Sequence, residues 1–251
     1  IFCRPDQIQQ EVTGVLELTL NFLKTFGFEE YEIFLSTRPE KFVGTVENWN
    51  KSTESIKMAL ENKGLHYEVD EGGGAFYGPK IDLKIKDVLG RAWQCSTVQV
   101  DFNLPERFEM SFIGEDNSRH TPIMIHRAIF GSIERFFGIL IEHYGGAFPF
   151  WLSPEQVRIA NISDEHIEYC EQIYKLLNDN DIDVEKDFRN EKLGYKVREA
   201  QLMKIPYLLV IGDKEVEDRT VSARKYSEKT MNSMSIEEFS SMVINENRLQ
   251  N

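Results

Sequence analysis

Val12, Val15, Leu16, Leu20 and Leu23 recur at helical spacing and stop at Gly27, so the first regular element reads as an amphipathic helix. Asp6, with Gln9 three positions on, predicts a capping box at its start. Residues 31–36 predict a strand, the proline-broken stretch 37–41 a loop, and residues 53–62 a second helix closing at Lys63-Gly64. From 81 to 86 the period falls to two: Ile81, Leu83 and Ile85 alternate with Asp82, Lys84 and Lys86, as in a sheet with one wet face. A turn at 87–91 folds this strand antiparallel onto residues 92–102. The short run Ile123-Met124-Ile125 ends in His126-Arg127, and after a Gly131-Ser132 break the helical period resumes over 133–141.

Glycine and proline cluster from Gly145 to Pro154, and beyond them the grammar changes. Strands at 157–162, 182–188, 206–211 and 221–226 alternate with helices that follow Ser163, span 194–203 and follow a Ser235–Glu238 capping box. Such alternation implies parallel strands covered by helices. The expectation is two domains: residues 1–148, α+β around an antiparallel sheet, and residues 149–251, α/β around a mostly parallel sheet.

At 251 residues both domains can bury a core. No apolar run approaches the ~20 residues needed to cross a bilayer, and the first residues lack a basic stretch followed by an apolar one; both features fit a cytoplasmic protein. Cys3, Cys95 and Cys170 are odd in number and widely spaced, which fits plain thiols better than a disulfide framework or a sulfur-based zinc site. The net charge of −13 argues against a generic nucleic-acid binder. It leaves room for one local basic patch, residues 188–198, where Arg189, Lys192, Lys196 and Arg198 face a single acid, Glu191.

Candidate chemistry gathers where strand gives way to helix. Ser132 is a good N-cap and Arg135 falls in the first turn, where free backbone N–H groups welcome an anion and a guanidinium offers five donors. His126 is either a metal ligand or proton shuttle, or a hydrogen-bonded structural residue. The Gly72-Gly73-Gly74 run lacks the order of a phosphate loop, so a tight turn is its commoner meaning; were a ligand to approach it, Tyr77 and Lys80 would stand beside it. Gln94 and Gln99 are five apart and share one face only if a bulge lies between them. In the second domain the loops 189–191 and 212–215 follow strand carboxyl ends, where parallel sheets bind ligands. They are either a reader of an unpaired base or a solvated edge.

The stretches LSTRPEKFVG, GGGAFYGPKIDLKIKD, QCSTVQVDFNLP, HRAIFGSIERFFG, DFRNEKLGYKVREA and IPYLLVIGDKEVE together resemble the bacterial-type threonyl-tRNA synthetases, almost from end to end. His126-Arg127 with Gly131 to Arg135 is similar to motif 3 of the class II synthetases, and the residues after Pro149 to their anticodon-binding domain. Such enzymes join threonine to ATP as threonyl-adenylate, release pyrophosphate, and pass the threonyl group to tRNA. The resemblance implies that Arg135 is catalytic and holds ATP with Lys80 and Gln94, and that Mg2+ accompanies the ATP. It assigns Tyr77, Gln99 and Ser132 to threonine, and Asn190, Arg198, Glu215 and Arg224 to the anticodon. It also implies a homodimer, and a zinc ion held by one cysteine and two histidines, of which His126 is the last. In the family, motifs 1 and 2, the other zinc ligands and the editing domain precede the position matching Ile1, and Cys3 and Cys95 stand at other positions. The 251-residue chain alone is therefore expected to be inactive. Two other readings are a prolyl or glycyl enzyme of the same class and an RNA-binding regulator that keeps the anticodon reader.

Overall fold

A computed structural model describes residues 1–248. The chain forms two compact units, Ile1–His143 and Tyr144–Asn251, each built on its own sheet. The first unit runs β1 (Phe2–Cys3), α1 (Ile8–Thr25), β2 (Tyr31–Ser36), α2 (Val46–Asn62), β3 (Glu68–Asp70), β4 (Lys80–Lys86) and β5 (Ala92–Asp101). It continues with α3 (Asn103–Arg107), a small hairpin β6 (Phe112–Ile113) and β7 (Arg119–His120), then β8 (Ile123–Ala128) and α4 (Ile133–Tyr144). The main sheet has the order β1-β8-β5-β4-β2-β3 and is antiparallel except where β3 joins β2.

One face of that sheet is apolar. Ile81, Leu83, Ile85, Val98, Val100 and Ile125 are buried there, and α1 and α2 pack over it. Each such side chain contributes roughly 1.5–3 kcal/mol on leaving water. Trp49 of α2 is fully buried and donates its indole N–H to Val43 O at 2.9 Å. Two predicted boundaries move. Asp6 does not cap α1: its carboxylate takes two bonds from the Arg4 guanidinium, at 3.0 and 3.1 Å, and the helix begins at Ile8 behind a 3-10 turn, Pro5–Gln7. Helix α2 starts well before residue 53 because Thr45 Oγ1 caps it, accepting from Asn48 N at 3.2 Å. Its first turns carry too few apolar residues to show a period.

The second unit runs β9 (Val157–Asn161), α5 (Ile167–Asn178), β10 (Val184–Asp187), α6 (Leu193–Leu202), β11 (Tyr207–Ile211), α7 (Asp213–Asp218), β12 (Thr220–Lys225), β13 (Asn232–Ser235) and α8 (Ile236–Arg248). Its sheet order is β10-β9-β11-β12-β13; the first three strands are parallel and the last two antiparallel. Helices α5 and α8 cover the face carrying Val157, Ile159, Leu209 and Val221, while α6 covers Ala160, Leu208 and Val210 on the other. Residues 212–215, expected as a loop, are the cap and first turn of α7. Cys3, Cys95 and Cys170 are buried free thiols, as expected.

Candidate functional site

The second face of the first sheet is polar, and strand register assembles it. Lys80, Gln99 and His126 lie in one row across β4, β5 and β8, with neighbouring strands about 4.8 Å apart. Leu83 pairs with Ser96 but Lys84 with Gln94, so Cys95 is the extra residue of a β-bulge. The bulge returns Gln94 to the face that holds Gln99. Asp82, expected on a wet face, is only 4% exposed there. Its Oδ2 accepts from Lys80 Nζ at 2.5 Å and its Oδ1 from Gln94 Nε2 at 2.8 Å. One carboxylate thus aims an ammonium and an amide.

Arg135 joins the same end. Its Nη1 donates to Gln94 O at 3.1 Å and its guanidinium lies 5.6 Å from the Trp93 ring centre. Gly131 (φ +67°) crosses the bulge where a Cβ would lie 3.0 Å from Cys95 O, so only glycine fits without a shift. Ser132 Oγ accepts from Arg135 N at 3.3 Å, the expected capping bond, and donates to Glu134 Oε2 at 2.7 Å.

At the other end of the face, the Tyr77 hydroxyl donates to Gln99 Oε1, and Gln99 Nε2 to Thr97 Oγ1 at 3.4 Å. Burial, and then the charge of Asp101, push the Tyr77 phenol above its usual range, so it stays a neutral donor. The Tyr77 ring meets His126 edge-on at 5.7 Å. His126 Nε2 lies 2.9 Å from Asp101 Oδ2, and the other oxygen of that buried carboxylate caps α3 through Asn103 N and Leu104 N at 2.8 and 3.0 Å. Asn103 Nδ2 in turn holds Tyr77 O at 2.7 Å. The glycine run acts as a turn: a Cβ on Gly74 would meet Thr37 O at 2.4 Å and one on Gly78 would meet Val100 O at 1.7 Å. Backbone docks on backbone, and Tyr77 and Lys80 are presented by the result. Among the described residues no group of three His, Cys, Asp or Glu could hold a metal ion.

The second unit places its candidates differently. Asn190 is exposed in the loop after β10 and Arg198 is exposed on α6. Glu215 Oε2 accepts from Gly212 N at 2.9 Å and its Oε1 from Ser222 Oγ at 2.7 Å. Burial alone would raise its pKa, but these two bonds, together with its own backbone N–H and the charge of Lys214, outweigh it and hold the carboxyl below the usual range. Arg224, two residues beyond Ser222 on β12, bonds Glu228 O at 3.2 Å and Gln201 Oε1 of α6 at 3.4 Å.

The basic stretch 188–198 is corrected. Lys196 is 2% exposed and donates to Asn161 O, Asn161 Oδ1 and Asp187 O at 3.1, 3.0 and 3.0 Å. Arg189 is paired bidentately with Asp187 and also with Glu199. Only Lys192 and Arg198 remain as exposed cations of that stretch without an ion pair. Sequence reasoning missed Asp82 and Asp101 as the groups that aim the polar face. Alternation placed Asp82 on the right face but could not show that neighbouring side chains cover it.

A model of the class II tRNA synthetase core domain (G, H, P, S and T) matches residues 1–144, and a model of the anticodon binding domain matches residues 156–246. The threonine–tRNA ligase of Sulfurihydrogenibium sp. (strain YO3AOP1) is 56% identical over 243 residues, 97% of this chain and 38% of that protein. That of Clostridium novyi (strain NT) is 54% identical over 243 residues, again 97% of this chain and 38% of the relative. The chain thus spans well under half the length of these relatives. Among solved structures, the RNA binding domain of threonyl-tRNA synthetase from Cryptosporidium parvum Iowa II superposes with a TM-score of 0.91 at 37% identity, covering 98% of this chain and 62% of that one. A putative threonyl-tRNA synthetase from Aeropyrum pernix, 24% identical with a TM-score of 0.75, covers 100% of this chain and 62% of that one and shares the fold.

Proposed function

The chain belongs to the class II tRNA synthetase core family, and from that premise we propose that it is the part of a threonine–tRNA ligase that carries motif 3 and the anticodon reader. The observation that supports this most is the polar face on which Lys80, Gln99 and His126 share one row, with Lys80 turned along the strand to the Asp82 carboxylate that also holds Gln94, and with Arg135 bonded to the Gln94 backbone. Lys80, Gln94 and Arg135 suit a nucleotide. In adenylate formation the threonine carboxylate attacks the α-phosphorus and pyrophosphate leaves, so negative charge shifts onto phosphate oxygens. Arg135 offers fixed positive charge to that shift, Lys80 would add a second cation from the same sheet, and Mg2+ would accompany the ATP. Asp82 keeps Lys80 and Gln94 from turning away.

Tyr77, Gln99 and Ser132 would meet threonine. His126 would be one donor of the zinc site. Its Nε2 on Asp101 leaves Nδ1 for a metal, the carboxylate-backed arrangement that fixes a ligating imidazole. Among the described residues it belongs to no group of three His, Cys, Asp or Glu able to hold a metal, so no step runs through zinc. In the second unit, Asn190, Arg198, Glu215 and Arg224 would read the anticodon. A homodimer and a cytoplasmic location belong to the same reading; among the described residues no helix is long and apolar enough to cross a membrane.

Calorimetric titration with a non-hydrolysable threonyl-adenylate analogue tests the site. It should bind in preference to the prolyl and glycyl analogues, and Arg135→Ala should weaken it about tenfold or more, as expected for a charge-assisted contact to phosphate. Equal binding of all three analogues overturns the threonyl assignment. The 251 residues alone should show no threonine-dependent exchange of pyrophosphate into ATP; turnover above background would refute that.

A further inference from the structure

In the second unit the loops leaving β9 and β11 part company just past the sheet. The last ladder bond is Ile162 N to Ile211 O, at 2.9 Å. Beyond it the Ile162 side chain lies against Gly212, and one imidazole bonds both loops. His166, 4% exposed, accepts from Ser163 N at its Nδ1 (3.1 Å), and its Nε2 lies 2.9 Å from Asp213 Oδ1. A backbone N–H can only donate, so Nδ1 carries the lone pair and Nε2 carries the proton that goes to Asp213. Both ring nitrogens are used, one for each loop, on a rigid plane. Asp213 is the first residue of α7, its side chain is 89% exposed, and its carboxylate is bonded to the imidazole. Two residues further along stands Glu215, whose carboxylate is set by Gly212 N and Ser222 Oγ.

We propose that His166 is a positioning residue for RNA recognition: through Asp213 it fixes the first turn of α7 against the β9 loop, and so sets Glu215 at the width an unpaired base needs. The inference rests on the reading of this unit as an anticodon reader. The imidazole touches no RNA. It replaces the ladder where the ladder ends, and a loosened α7 leaves Glu215 the same charge at a variable distance.

The test uses the 251-residue chain and a short RNA stem-loop with a threonine anticodon, against a second stem-loop with its middle anticodon base changed. His166→Ala and Asp213→Ala should each weaken the first and shrink discrimination between the two by about tenfold, the loss of one charge-assisted bond. The double variant should lose no more than either single one. Asp213→Asn keeps the accepting oxygen while removing the charge, so it should restore discrimination; simple relief of repulsion from phosphate would not separate Asn from Ala. Asp213 is exposed, so its variants carry little folding risk. Amide exchange over 213–218 without RNA should rise in Asp213→Ala and return in Asp213→Asn. Wild-type discrimination in both alanine variants, or losses that simply add, would overturn the proposal. If the wild-type chain bound neither stem-loop, the anticodon reading would fail, and amide exchange unchanged by Asp213→Ala would still sink the tie on its own.

Discussion

The two units organise polar groups around buried charges of opposite sign. In the first, the Asp82 carboxylate holds Lys80 and Gln94, and that of Asp101 holds His126 together with two backbone N–H groups at the start of α3, so both aim side chains across a sheet face. In the second, the ammonium of Lys196 gathers three oxygens from the ends of β9 and β10. The difference follows from the sheets. An antiparallel sheet can leave one face uncovered, so function spreads along strand length and register does the assembly. A sheet with helices on both faces has only its strand ends free, so function falls to loops and helix starts.

Removing the charges one at a time tests that contrast. Asp82→Ala leaves Lys80, whose side chain is 18% exposed, without its partner; the expected loss is about 3 kcal/mol, as for one half of a buried pair, read by urea unfolding of the chain. Asp82→Asn keeps the acceptor for Lys80 and should recover part of that loss. A next smaller effect is expected from Lys196→Met, which removes a buried cation but strands three acceptors; about 2 kcal/mol should be lost. A neutral or stabilising result there would mean that the buried ammonium does not hold the strand ends together.

How much of this was legible in the sequence divides along the same line. Period-two alternation at 81–86, the Gly131-Ser132 break and the need for a bulge between Gln94 and Gln99 all follow from local geometry, and the structure has each of them. Asp82 and Asp101 were not legible as hubs, because their role depends on neighbours brought in from other strands. In the second unit the run of cations at 188–198 misled for the same reason. A one-dimensional charge count cannot see that Asp187 and Glu199 neutralise Arg189, or that Lys196 points inward. Helix α7 was hidden because six residues, with an acid-rich face and no buried side chain, carry no apolar period.

That correction gives a smaller prediction. Lys192→Ala and Arg198→Ala should leave stability within about 0.5 kcal/mol while lowering affinity for RNA and flattening its salt dependence. Arg189→Ala, by contrast, should unsettle the loop after β10, because the buried Asp187 loses the guanidinium that bonds both its oxygens. Equal effects of all three on salt dependence would restore the reading of 188–198 as one basic patch.

A pH-dependent effect separates a carboxylate that only shapes the chain from those that aim functional groups. Asp87, at the turn between β4 and β5, accepts from the Trp93 indole at 2.9 Å, from the Arg91 guanidinium at 2.6 Å and from Leu89 N and Arg91 N at 2.9 Å each. The Trp93 bond first, and the others with it, outweigh burial and pull its pKa down to about 2. An unfolded aspartate titrates near 3.9, so the folded state binds the proton less readily. The stability this provides is complete above about 4 and is lost as the pH falls toward about 2. Asp87→Asn should therefore be less stable than wild type at neutral pH, and the gap should close across that acid window, with Trp93 fluorescence reporting the turn. A gap that stayed constant down to pH 2 would mean that packing, not the charge of the carboxylate, holds this turn, and that the first unit draws on buried carboxylates only where they aim a functional group.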